Sequence, residues 1–470
     1  MTHVNPYTSA QDLIEHIRTG VTSPIELLEN SLERISHVDS SGYALNSVLA
    51  LDLAARDFAL GVNSGLPLAG IPVLIKDNIE AIGLPATAGS AALAPFPVLR
   101  DSSIVARLRA AGANVIGATN LSEWANIRST QSTSGWSAVG GLTANPWSHE
   151  RSAGGSSSGS GAAIAAGLVP LAVGSETDGS IICPASLNGC VGIKPTVGTV
   201  PRDGVIPISA SQDSPGSMAR TVEDAALLLE VMMGTNGLVQ AAREDRQIRI
   251  GVVSSWLTSD EGTDSLFSDA LTILNSSGIT LVEIDIAQPE DWVAQDEFAI
   301  LLHELVDDLA AYLSLRTNGS FNSLKQIMEF NLQNPEIEMQ HFKHELFDQA
   351  IALGGRGEKY AQLRKKNVDW AQGILSKGLE NVDVLIGASY SPAWKSTLGG
   401  GDDFSKASWI TMAPAIAGTP IGCVPMGVTQ GLPVGLGVVA RKNDEATLIS
   451  AMARIEKSLD LGILVPTYTK

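Results

Sequence analysis

Cysteine is almost absent: three in 470 residues (Cys183, Cys190, Cys423), an odd number with no CxxC pair. A disulfide-stapled scaffold is therefore excluded, and reduced thiols are expected. Histidine is scarce too, at seven. Positive charge is in deficit, with 31 Lys and Arg against 50 Asp and Glu and a formal net charge of −19. No basic run offsets it, so neither nucleic acid nor an anionic membrane is an expected partner, because phosphate binding needs clustered Lys and Arg. No apolar stretch approaches the roughly 20 residues that span a bilayer. The N-terminus, MTHVNPYTSAQDLIEHIRTG, lacks the charged start and apolar segment of a signal peptide. Ser9 ahead of an Ile14/Ile17 face reads instead as a capped helix. A soluble cytoplasmic protein is the resulting expectation.

What the chain does have is 44% hydrophobic residues, only 17% charged ones, and 46 glycines. That balance suits a well-buried globular protein with many tight turns and argues against disorder. Residues 9–60 read as helices, with Leu27, Leu28, Leu32 and Ile35 at helical spacing. Short apolar runs of strand length then alternate with helical segments: IPVLIK, NVIGAT and LVPLAVG. Such alternation favours an α/β sheet with helices packed on its faces. Residues 240–380 are mainly helical and richer in charge, and 380–470 return to strands (VDVLIGAS, LPVGLGVV) before a closing helix. Nothing resembling a linker divides the chain, so one domain spanning 1–470 is expected: helices over 1–60, a core over 65–235, then these two parts.

The stretch AGGSSSGSGAA (153–163) carries the chemistry. It precedes an apolar helix, which a flexible Gly/Ser linker would not. No Gly-Lys-Ser/Thr follows, so it is not a P-loop. Gly155-Ser156-Ser157-Ser158-Gly159 fits a GxSxG elbow, but that elbow follows a buried strand, and NPWSHERS is polar and turn-rich. No histidine stands in a recognisable partner context: His303, His341 and His344 lie among charged helical residues and read as a solvated face. His341-x-x-His344 lacks a third ligand, so no metal is expected.

Two further segments bear on this loop. GSETDGSIICPAS (174–186) follows the LVPLAVG strand as a turn of small residues, able to aim several backbone N–H groups at one point. Lys76 follows IPVLI. A lone strand-end lysine is ordinarily a solvated tip, whereas one held dry beside hydroxyls becomes a base. Together, Lys76, Gly154-Gly155-Ser156-Ser157-Ser158-Gly159-Ser160 and Glu176-Thr177-Asp178-Gly179-Ser180-Ile181-Ile182-Cys183-Pro184-Ala185 resemble the amidase signature family, whose motifs read GGSSGGS and DTGGSIRxPA. The likeness runs through GCVGIKPTVGTV and SQDSPGSMARTVEDAALLL, and is weakest over roughly 240–380.

The resemblance implies a large mixed, mostly parallel β-sheet core flanked by helices on both faces. It also implies amide C–N hydrolysis without a cofactor, through a Ser–cis-Ser–Lys triad and an acyl-enzyme. The triad falls on Ser180 as nucleophile, Ser156 as bridge after a cis Gly155–Ser156 bond, and Lys76 as base. Thr177, Asp178, Gly179 and Ser180 would supply the oxyanion hole, and Ser157 would fix Lys76. Asp178 stands where the family has glycine, and aspartate tolerates left-handed geometry better than most residues. Ile182 replaces an arginine that could pair with a substrate carboxylate, so a neutral or apolar acyl group is expected. The variant ETDGSIxCPA with NLSEWANIRSTQSTSGWS resembles the peptide amidase branch, which removes C-terminal amides. Asn126, Ser132 and Trp136 are pocket candidates beside Ile182, although Trp124 and Trp136 fit packing roles better. Aryl acylamidase or carbamate hydrolysis is the alternative. The glutaminase component of an amidotransferase is a more distant one. The expected partner is a small-molecule or peptide amide, with the chain a monomer or homodimer.

Overall fold

In the computed structural model, which describes residues 4–316 and 321–467, the short apolar runs become strands. Residues 1–3 and 468–470 of the expected domain, and 317–320 of its helical part, lie outside the described residues. The strands are β1 (Val48–Leu51), β2 (Pro72–Lys76), β3 (Asn114–Thr119), β4 (Trp136–Ser137), β5 (Gly141–Leu142), β6 (Ala144–Asn145), β7 (Ser148–Ser152), β8 (Leu171–Glu176), β9 (Val191–Lys194), β10 (Ser214–Ala219), β11 (Arg249–Val253), β12 (Thr280–Ile284), β13 (Val384–Ala388), β14 (Ile421–Thr429) and β15 (Leu432–Val439). Eleven of them form one sheet in the order β1-β3-β2-β8-β10-β9-β14-β15-β13-β11-β12. The other four make two separate ribbons, β4–β5 and β6–β7.

The mixed sheet is as expected, but parallel pairing does not predominate. β2 is parallel to β3 and β8, and β11 to β12 and β13, while the remaining neighbours are antiparallel. One cause is local. Gln430 and Gly431 both have positive φ, which matches strand twist in a two-residue turn and folds β14 back on β15. The reading of 9–60 as helical also needs correction. Helices run over Ala10–Arg18 and Pro24–Arg34, but Val48–Leu51 pairs antiparallel with β3 as an edge strand. Partner strands, which local propensity cannot register, override it here.

Helices cover both faces of the sheet. Along β2, Val73 and Ile75 enter one apolar cluster and Leu74 the other, so every β2 residue is buried. The Ser9-capped helix buries Ile14 and Ile17 against the first cluster. The helix Ser158–Ala165 packs in the second and consists of Ser, Gly, Ala and one Ile. Its small residues permit close approach: a Cβ on Gly161 would come within 2.9 Å of Asn188 Nδ2 and 3.0 Å of the Pro184 carbonyl. Among the described residues no helix is long and apolar enough to cross a membrane.

The helical part, including Asp291–Leu315 and Glu358–Gly378, builds a third cluster. In it Leu305 and Phe347 pack with Trp124, Ile127, Ile206 and Ile208, beside the serine loop. Two of its histidines are not the solvated residues expected. His303 is buried with Nδ1 2.9 Å from the Gly355 carbonyl, and His344 is buried and stacked on Phe347. Tyr360 packs edge-on against His303.

A buried ionic cluster ties this part to the core. Arg128 Nη1 lies 2.7 Å from Glu123 Oε1 and 3.1 Å from Glu338 Oε2, with all three side chains inaccessible. Burial pushes the Glu123 carboxyl well above its usual range, against the Arg128 charge, and the Glu338 charge adds to the rise. Glu338 also accepts from Ser90 Oγ and Ala91 N. Arg128→Met should leave buried carboxylates without a cation and cost about 3–5 kcal/mol, read as a fall in the urea midpoint at unchanged slope.

Candidate active site

Lys76 closes β2 with its side chain wholly inaccessible. Parallel pairing sets Ile75 opposite Val173, so β2 and β8 end side by side and their following residues meet. Lys76 Nζ lies 2.7 Å from Ser156 Oγ, 3.0 Å from Ser157 Oγ, 3.0 Å from Ser175 Oγ and 3.1 Å from the Ser175 carbonyl. Every one of these contacts is an uncharged oxygen. Burial therefore dominates and brings the amine down to about 7, while the charges of Glu176 and Asp213 pull the other way. Near neutral pH the amine holds or yields a proton readily.

The serine loop is built for close approach. The ribbon leading into it, β6–β7, is short, and His149 and Glu150 are exposed, so no buried strand precedes Ser156. Gly154 has φ 68°, and the Gly155–Ser156 peptide is cis. A Cβ on Gly155 would collide with the Ser122 and Ser134 hydroxyls. Ser157 Oγ reaches the Ser175 carbonyl at 3.0 Å and accepts from Ser175 N at 3.2 Å. Ser160 donates to the Val173 carbonyl at 3.0 Å. Two of the loop's serines thus staple it to β8, and Ser156 is left facing the amine.

The turn after β8 folds around its own side chains. Glu176 Oε2 accepts from Ile181 N at 2.7 Å and Ile182 N at 3.0 Å, which starts the helix Ile182–Asn188. Gly179 carries the left-handed conformation, φ 76°, and a Cβ there would strike the Tyr390 hydroxyl. Asp178 is not left-handed, so the tolerance invoked for it is not needed. Burial and the Glu176 charge push its carboxyl up to about 6, against a Thr411 hydrogen bond. The Ser180 carbonyl accepts from Ser157 N at 3.0 Å, which joins the two loops. No hydrogen bond links the Ser156 and Ser180 hydroxyls among the described residues. The N–H groups of Thr177, Asp178 and Ser180 donate to no backbone carbonyl there, and so remain available to an incoming oxygen.

Other candidates are brought together less closely. Asn126 Nδ2 lies 3.1 Å from Ser134 Oγ, which bonds Asp402 at 2.6 Å. Ser132 is buried, and Trp136 packs edge-on against His341 and Phe342. Ile182 is wholly buried in the second apolar cluster and is not among the residues lining the small cavity at Ser156. Ala125, not Asn126, lines the small cavity at Ser156, together with Asn78, Ser175, Thr177 and Asp213. Ser175, Asn78 and Asp213 escaped the sequence reading. Asn78 Nδ2 holds Ser175 Oγ at 2.9 Å. The signal for Ser175, its place beside Glu176, gains meaning only once β8 is known to flank β2. Among the described residues, no group of three or more His, Cys, Asp or Glu is placed to hold a metal ion.

The amidase family model matches residues 26–449. The peptide amidase PAM, solved with the competitive inhibitor chymostatin, superposes with a TM-score of 0.91 at 36% identity, covering 98% of this chain and all of that one. One of the subunits of the glutamyl-tRNA(Gln) amidotransferase from Methanococcoides burtonii is 33% identical over 97% of both chains. Mandelamide hydrolase of Pseudomonas putida is 33% identical over 98% of this chain and 92% of its own. Family match and structural likeness agree: the chain belongs to the amidase signature family and is an amide hydrolase.

Proposed function

We propose that Ser180, Ser156 and Lys76 act as a Ser–cis-Ser–Lys triad that cleaves neutral amides, peptide C-terminal amides foremost, through an acyl-enzyme. The observation that carries this reading is the 2.7 Å contact between Lys76 Nζ and Ser156 Oγ inside a dry cluster without a carboxylate partner. An amine brought down to about 7 there serves as a base near neutrality.

Ser180 Oγ adds to the amide carbon as its proton passes to Ser156 Oγ, whose own proton goes to Lys76 Nζ. The carbonyl oxygen, now negative, is met by the N–H groups of Thr177, Asp178 and Ser180, whereas that of Gly179, expected among them, is engaged by the Glu176 carboxylate. Loss of one such donor typically costs about 3–4 kcal/mol. Collapse breaks the C–N bond, and the relay returns the proton to the departing nitrogen. Water then repeats the sequence on the ester and frees Ser180. Support for a peptide amide comes from the likeness to a peptide amidase, and mandelamide hydrolase adds a second neutral amide.

A fluorophosphonate should add its mass to Ser180, and Lys76→Ala should prevent labelling near neutral pH. An adduct on Ser157 or Ser158 overturns the assignment. Because the free amine is the active form, kcat/KM should rise with pH through about 7, and Lys76→Arg should remove that activity across the range, a loss of about 10²–10⁴-fold. Ammonia release should be faster from peptide amides than from glutamine, anilides or carbamates, and the reverse order would reassign the substrate.

A further inference from the structure

Asp213 is a buried carboxylate that the proton relay does not use. It precedes β10, and the antiparallel register pairs Ser214 with Glu176, which sets Asp213 beside Thr177 in the turn that carries Ser180. Its Oδ1 accepts from Thr177 Oγ1 at 2.6 Å, and its Oδ2 from Ile208 N and Ser209 N, both at 2.9 Å. It lines the same small cavity as Ser156 and Ser175.

The segment holding Asp213 is itself gripped by the helix Asp291–Leu315. Glu304 Oε2 accepts from Ser209 Oγ at 2.6 Å and Ser211 N at 2.9 Å. Asp308 accepts from Ala210 N at 2.7 Å, and Gln212 Nε2 donates to Glu297 at 2.8 Å. Three acidic side chains one helical turn or two apart thus fasten residues 209–212 from one side. Thr177 is fastened from the other. The helical part, where family likeness is weakest, thereby reaches the catalytic turn through a continuous chain of hydrogen bonds.

We propose that Asp213 is a positioning residue: through Thr177 it fixes the turn that presents the N–H groups and Ser180, and its negative charge acts at longer range on the Lys76 amine. The proposal rests on the triad reading given above. A carboxylate suits both tasks, since a charged acceptor makes the stronger hydrogen bond and an anion steadies a nearby protonated amine. The charges bearing on this pair are few. Glu176, at the end of β8, acts on Lys76 in the same sense as Asp213, and Arg202 offsets the burial that pushes Asp213 up to about 6.

The test compares Thr177→Val, Thr177→Ser and Asp213→Asn in the full chain, with the active fraction counted by fluorophosphonate labelling. Thr177→Val keeps the side-chain shape but removes the hydroxyl, and its kcat per labelled site should fall about tenfold to a hundredfold, as for a misplaced reacting group, with KM nearly unchanged. Thr177→Ser should restore it. Asp213→Asn removes a charge that favours protonated Lys76, so the acid limb of kcat/KM should move to lower pH. A purely structural contact would lower the labelled fraction and Tm without moving that limb. Wild-type kcat per site in Thr177→Val, or an acid limb unmoved or shifted upward in Asp213→Asn, overturns the proposal. If the unaltered chain took no probe at Ser180 and hydrolysed no amide, the triad reading would fail instead, so the two failures are distinguishable.

Discussion

The site depends on one constraint: an amine kept dry at the end of β2 with uncharged oxygens around it. In water Lys76 would hold its proton far above neutrality and could not act as a base. Here its four nearest partners are hydroxyls and a carbonyl, and the acids Glu176 and Asp213 act only at longer range. A carboxylate in direct contact would have held the proton in place. Exposure would have done the same.

Much of the surrounding sequence follows from keeping that pocket closed. The loop must pass between Ser122 and Ser134, so position 155 carries no side chain. The helix after it must lie against the sheet and the helix Ile182–Asn188, so it is built from Ser, Gly and Ala. Ser157 and Ser160 find acceptors on β8, and Ser158 finds one in the Gly154 carbonyl of its own loop. Unpaired, such groups would each cost about 1–3 kcal/mol. Four serines in one short loop are thus one catalytic candidate and several structural staples.

Legibility differed by element. The strands IPVLIK, NVIGAT and LVPLAVG were plain, because burial on both faces produces near-continuous apolar runs. The edge strand Val48–Leu51 was not, since its pattern is short and its pairing distant. His303 and His344 were misread because the charge around them in sequence hides their burial: Glu304 beside His303 is itself buried, and the rings pack against Tyr360 and Phe347. Ile182 occupies a familiar motif position, and its complete burial in the second apolar cluster could not be read from that position.

Local chemistry set the reaction class, because the two glycine-rich family motifs around Ser156 and Ser180 and the apolar run ending in Lys76 are each continuous stretches of chain. What the folded chain added are relations between stretches far apart in it. Lys76 and Ser175 are 99 positions apart and touch because β2 and β8 run in parallel. Asp213 reaches Thr177 because β10 returns antiparallel along β8, and Glu304 holds the segment beside it from a helix some ninety residues further on. No periodicity encodes such meetings. They arise from strand order and register, which depend on burial summed over the whole sheet.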